Sequence, residues 1–134
     1  MSGTDTLGSM SDAEIDAIAR RKAYLRVYAL LIRAAEGRAT VTYPVMAAPM
    51  GLPPSGQHMA RETGRMLEAI EFKERACGRP MLSAVVVKTG ENRPGPGFYA
   101  LARRTGRLAE GATHEEERAF WAAELERVYA EWGA

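Results

Sequence analysis

The chain has 134 residues, 46% hydrophobic and 26% charged, with a formal net charge of +1 and one cysteine, Cys77. That is one domain's worth of an ordinary globular protein with enough apolar residues to bury a core. A lone cysteine excludes an internal disulfide and a cysteine-cluster metal site, and with only His58 and His114 a zinc ion would have to borrow carboxylates, so neither a metal nor a cofactor is expected. No run approaches the roughly 18 apolar residues of a membrane span, and residues 1–10 lack the basic start and apolar stretch of a secretion signal; a cytoplasmic location and no membrane partner are the expectation.

Residues 1–10 are rich in Gly, Ser and Thr and read as a disordered tail, with 11–134 as a single domain. Ser11-Asp12-Ala13-Glu14 is a capping box. From there Ile15, Ile18, Leu25, Tyr28, Leu31 and Ile32 recur at three- and four-residue steps, which predicts one long amphipathic helix over 12–36, ended by Gly37. Arg20, Arg21, Lys22, Arg26 and Arg33 give it a basic side, which long aliphatic stems make as readily a solvated face as a binding one.

A short strand precedes Tyr43. Thr42 is placed to cap a helix with Pro44 in its first turn, running to about Met50 and stopped by Gly51-Leu52-Pro53-Pro54. Ser55 is placed to cap the next helix, which runs to about Ala76 and closes at Gly78, with Cys77 as a small packing residue. On that helix Met59, Thr63, Met66, Leu67 and Ile70 form a core stripe, while Arg61 and Arg65, four apart, share an exposed strip. Ala84-Val85-Val86-Val87 reads as a buried strand, followed by a loop holding Lys88, Arg93 and several glycines and by a short helix from Phe98 to Arg104. Two helices joined by a tight turn, then a strand and a loop, make a winged helix-turn-helix pattern over 38–107. Thr113 to Glu116 is a second capping box, opening a helix over 113–133 striped with Phe120, Trp121, Leu125, Val128, Tyr129 and Trp132. That stripe packs on the first long helix or, left open, serves as a protein-partner or homodimer face. The fold class is therefore mostly α with a small β wing (α+β), a winged helix-turn-helix core flanked by long N- and C-terminal helices.

At these residues a family resemblance enters. Val41-Thr42-Tyr43 with Ala47 and Gly51, then Ala60-Arg61 with Gly64 and Leu67, resembles the DNA-binding half of the O6-alkylguanine-DNA alkyltransferases and the alkyltransferase-like proteins. The resemblance continues through Val85-Val86, Asn92-Arg93-Pro94-Gly95-Pro96-Gly97 and the helix after them, about half the chain. It implies a second helix docked in the minor groove, an arginine replacing an extruded base and a tyrosine pressing on the backbone, roles that fall to Arg61 and Tyr43. The family's acceptor cysteine and its activating histidine are absent: Leu82-Ser83-Ala84 stands where Cys-His-Arg would be. Alkyl transfer needs an activated thiolate, so no catalytic residue is expected, and Leu82 and Ser83 would line a pocket instead.

Charge patterning agrees with a nucleic-acid surface. Residues 1–36 hold 5 basic and 5 acidic side chains, 37–107 hold 11 and 5, and 108–134 hold 2 and 7. A basic middle beside an acidic end is the asymmetry of a DNA-binding face with a non-binding neighbour, or simply of an acidic helix packed on a basic body. The leading reading is a non-enzymatic protein that binds duplex DNA through Tyr43, Ser55, Arg61, Arg65, Lys88 and Arg93 and senses alkylated bases without repairing them. The alternative is a protein-interaction adaptor on the same scaffold, because Glu62, Glu68, Glu71 and Glu74 make the second helix less basic than most DNA readers.

Overall fold

The structure, a computed structural model, describes residues 10–133. It is mostly helical with one two-stranded sheet, which is the α+β class expected. The tail expected over 1–10 lies outside the described residues except for Met10, which is buried and donates its backbone N–H to Glu68 Oε2 at 2.9 Å.

Where one long helix was expected there are two, α1 (Asp12–Ala19) and α2 (Lys22–Glu36). Both halves of the Ser11/Glu14 capping box are formed. The break falls at Arg21, which is extended (φ −76°, ψ 146°) and carries the N-cap of α2. The physical reason is local: between Ile18 and Tyr24 no large apolar side chain ties the chain to the core, and three successive basic residues prefer water. The bend lets α1 lie against a later helix while α2 crosses the middle of the molecule, burying Tyr24, Val27 and Leu31.

Strand β1 (Val41–Thr42) leads directly into α3 (Tyr43–Ala47), continued by a 3-10 turn through Met50 and ended at Gly51 in the left-handed conformation. Thr42 does occupy the N-cap, but its hydroxyl makes no capping bond. Helix α4 (Gln57–Ala76) starts one residue later than expected: the N-cap is Gly56 at φ 100°, not Ser55, which is exposed and caps nothing. Cys77 ends the helix and is exposed rather than packed.

The expected strand from Ala84 is largely a buried 3-10 turn, Leu82–Val85, and only β2 (Val86–Val87) pairs, in parallel with β1. Parallel strands need a long crossover, and α3 and α4 supply it. The turn forms because buried carboxylates take the backbone donors a ladder would have used: Ser83 N–H donates to Glu71 Oε2 at 2.7 Å and Met81 N–H to Glu124 Oε2 at 2.8 Å. Helix α5 (Pro96–Arg104) follows, then α6 (His114–Trp132) with the Thr113/Glu116 capping box complete. The aromatic stripe of α6 packs within the chain, on α2 and the 82–85 turn; Trp121 Nε1 donates to the Ala84 carbonyl at 2.9 Å, and Tyr28 meets Trp132 edge-on.

Candidate nucleic-acid interface

The parallel register sets the site. Val41 faces Val86 and Thr42 faces Val87, so the next residue of each strand, Tyr43 and Lys88, emerge together at one end of the sheet. The N-terminal half of α4 runs past that end, and the 95–97 loop with α5 closes the other side. Between them lies a cleft of about 570 Å³. Its α4 wall is Met59, Ala60, Arg61, Thr63, Gly64, Arg65, Leu67 and Glu68; its opposite wall is Phe98, Ala100, Leu101 and Arg104; Tyr43, Ser83 and Lys88 complete it.

Of the eight residues singled out from sequence, five line this cleft: Tyr43, Arg61, Arg65, Ser83 and Lys88. Ser55 and Arg93 do not. Arg93 sits outside the cleft on an exposed loop and is held by Glu91 at 2.8 Å, with Lys88 also reaching Glu91 at 3.4 Å. Of the two residues expected to line a pocket, Ser83 does so and Leu82 is fully buried in the core.

The cations at the mouth are loosely held. Arg61 stands 3.9 Å from Glu62 and Arg65 3.9 Å from Glu14 of α1, longer than a good charge-assisted hydrogen bond. Such exposed pairs contribute little and yield easily to a phosphate. Arg104 reaches Glu68 at 3.4 Å. Tyr43 is positioned by backbone rather than by charge: its hydroxyl accepts from Gly95 N–H at 3.1 Å, and a Cβ on residue 95 would approach that oxygen to 3.2 Å, which is why a glycine stands there. Burial raises the Tyr43 pKa, opposed by the Gly95 bond, so the phenol keeps a proton to donate outward.

Of the carboxylates that counted against a DNA-facing α4, Glu71 and Glu74 are enclosed in the core, Glu68 is buried at the cleft wall, and Glu62 stays at the surface beside Arg61. Glu68, Glu71 and Glu74 are all buried, continuing inward the stripe of Met59, Thr63, Met66 and Ile70. Glu74 receives Arg79 at 2.9 and 3.0 Å and the Tyr28 hydroxyl at 2.7 Å. Glu124 of α6 does the same for Arg107 at 3.0 Å. Their three-residue spacing on α4 was visible in the sequence, but glutamate reads as a surface residue. Only the packed loop shows what each one holds.

The back of the cleft is polar and incompletely satisfied. Ser83 is 3% exposed, and its hydroxyl is left to the Glu71 carboxylate alone, without a well-aligned bond. Burial pushes the Glu71 carboxyl up to about 7, against the pull of the Ser83 hydroxyl and N–H and of Arg107, and with a further push from Glu74. Among the described residues no group of three His, Cys, Asp or Glu side chains is placed to hold a metal ion, and no helix is long and apolar enough to cross a membrane.

No protein-family model, no curated protein and no solved structure matches this chain.

Proposed function

We propose that this chain is a non-enzymatic DNA-binding protein in which α3 and α4 act as a helix-turn-helix pair of winged-helix type and the cleft meets duplex DNA. The observation that carries the reading is that Tyr43, Arg61, Arg65 and Lys88, drawn from three separate segments, line one open cleft that no residue of α6 covers. The N-terminal half of α4 offers the solvent Arg61 and Arg65 beside a single partly exposed carboxylate, Glu62. Contacts of this kind neutralise phosphates and give affinity without reading sequence. Arg61 is the residue suited to enter a base stack, since its flat guanidinium combines stacking with hydrogen bonds.

Gel-shift titration across salt concentrations tests the reading. Duplex is expected to be retarded with an affinity that falls steeply with salt, and Arg61→Ala is expected to weaken binding and to reduce the magnitude of the slope by about 0.9, the increment of one phosphate contact. No retardation, or retardation without a salt slope, refutes it. Sensing of alkylated bases is part of the same proposal and is tested by competition between duplexes with and without O6-methylguanine; equal affinity removes that part.

A second reading, a protein-interaction adaptor, is favoured by a different surface. Leu25 and Val45 are 62% and 50% exposed and share a shallow groove with Ala29, Leu30 and Pro49, flanked by Arg26 and Arg33. Apolar residues between cations suit an acidic amphipathic helix. Partner binding abolished by Leu25→Glu, with no DNA retardation by the same protein, favours this alternative.

A further inference from the structure

Among the described residues Leu25 and Val45 are the large apolar side chains left exposed, and both line the one shallow groove between α2 and α3. Arg26 and Arg33 flank that groove, no carboxylate lines it, and Lys22 continues the same side of α2 one turn earlier. Ion pairs occupy Arg38, Arg65 and Lys73 on neighbouring segments, but none of Lys22, Arg26 and Arg33 among the described residues. An apolar floor between cations that lack counter-charges suits an occupant that is apolar at its centre and acidic at its ends. Two such grooves cannot face each other, because like charges would meet across the contact.

The chain carries the complementary surface itself. The aromatic stripe of α6 is turned into the core, and the opposite side of that helix is a row of exposed alanines, Ala119, Ala122 and Ala123, lying between Glu115 and Glu126. Arg118 and Arg127 fall to either side of the row, and Arg127 is held by Glu124 at 2.7 Å. Glu115 and Glu126 are eleven residues apart, as are Lys22 and Arg33, which is about 16 Å along a helix axis in each case. Opposite charges therefore match at both ends. Alanines let the α6 backbone come close, so Leu25 and Val45 can seat on it where larger side chains would hold the helices apart. Glu126 is shared with Arg38 of its own chain, an exposed pair at 2.7 Å that contributes little alone and tolerates a second cation.

We propose that the groove between α2 and α3 docks α6 of a second copy of this chain, with Leu25 and Val45 on the alanine row and the cations of α2 meeting Glu115 and Glu126. This rests on the reading of the groove as a protein-docking surface and names its occupant. The contact is heterologous: each copy offers one groove and one α6, so copies add head to tail. Its apolar area is small, which places it at the weak end of specific interfaces, with a dissociation constant of about 0.1 mM. The cleft shares no lining residue with the groove, so self-assembly and duplex retention are measured independently.

Sedimentation velocity on the full chain, from about 10 μM to about 1 mM and at low and high salt, tests the proposal. Expected is an average mass that climbs with concentration, and association about tenfold weaker at high salt. The double variant Leu25→Glu/Arg26→Glu removes the groove, and Ala119→Arg/Ala122→Arg makes the α6 row cationic. All four positions are exposed, so both variants are expected to keep the wild-type circular dichroism and melt; should one not, Arg33→Glu or Ala123→Arg alters the same surface. Each variant alone is expected to stay monomeric. Mixed, they are expected to form a one-to-one heterodimer and nothing larger, since the groove of one and the α6 of the other remain intact. The proposal is overturned if the wild type is monomeric throughout, if either variant assembles as the wild type does, or if the mixture gives no heterodimer. A monomeric wild type whose groove instead takes a helical peptide of Leu, Ala and Glu overturns it and leaves the adaptor reading standing, whereas one that sediments with anionic vesicles through Leu25 removes both.

Discussion

Replacing Glu71 by glutamine isolates the energetic consequence of burying a carboxyl in this core. The side chain is enclosed, and loss of hydration holds its proton up to about 7 where an open glutamate releases it near 4.5. In the unfolded chain the proton leaves near the lower value. Between the two values the folded state therefore binds more protons than the unfolded state, and stability falls as pH rises. Below about 4.5 Glu71 contributes no penalty; above about 7 the penalty is complete. A gap of about 2.5 pH units, at roughly 1.4 kcal/mol for each, amounts to about 3 kcal/mol. Glutamine keeps an acceptor for the Ser83 N–H and has no charge to desolvate. Glu71→Gln should thus gain about 3 kcal/mol over the wild type between pH 4.5 and pH 8, equivalent to roughly 10 °C in Tm for a chain of this size. Urea melts of both proteins at the two pH values measure the difference, and any constant effect of the amide cancels between them. An equal difference at both pH values would refute the reasoning, because it would mean that Glu71 ionises in the folded protein as freely as in water.

Two further outcomes are expected. Arg79→Met should destabilise by about 3 kcal/mol because it strands the fully buried Glu74 carboxylate, and Glu74→Met by less, since Arg79 is partly open to water, while the double variant should lose much less than the sum; a double-mutant cycle by urea melts checks this, and additivity would show that the 2.9 Å pair carries no coupling. Gly64→Ala should stabilise α4 by about 1 kcal/mol, because a Cβ there meets nothing within 4 Å, yet weaken duplex binding because Gly64 lines the cleft; thermal melts and gel shifts read the two effects, and a gain in both would show that the cleft wall is not used.

Some elements were legible because their signals are local. Both capping boxes formed at the residues that spell them, Ser11 with Glu14 and Thr113 with Glu116, since a cap needs only four consecutive residues. The stripe of Met59, Thr63, Met66, Leu67 and Ile70 faces the core as its spacing requires. Tyr43, Arg61, Arg65 and Lys88 reached one cleft, but Ser55 and Arg93 did not, and no local rule separates these two groups. The β-branched run at 84–87 read as a strand because valine favours one; half of it became a turn when carboxylates from α4 and α6 claimed the backbone donors at Ser83 and Met81.

Taken alone, the sequence determined most of the helical segments, the two capping boxes and the apolar faces, because hydrogen bonds within a turn and periodic burial depend on residues three or four apart. Only the tertiary structure decided that Glu68, Glu71, Glu74 and Glu124 lie inside, that α1 and α2 part at Arg21, and that Ser83, set against the buried Glu71 carboxylate, lines a cationic cleft. Those outcomes turn on where water is excluded, and that is set by residues as distant as Glu71 and Ser83 or Met81 and Glu124 closing on one another. The energy of a buried charge belongs to such an enclosure and to no stretch of chain by itself.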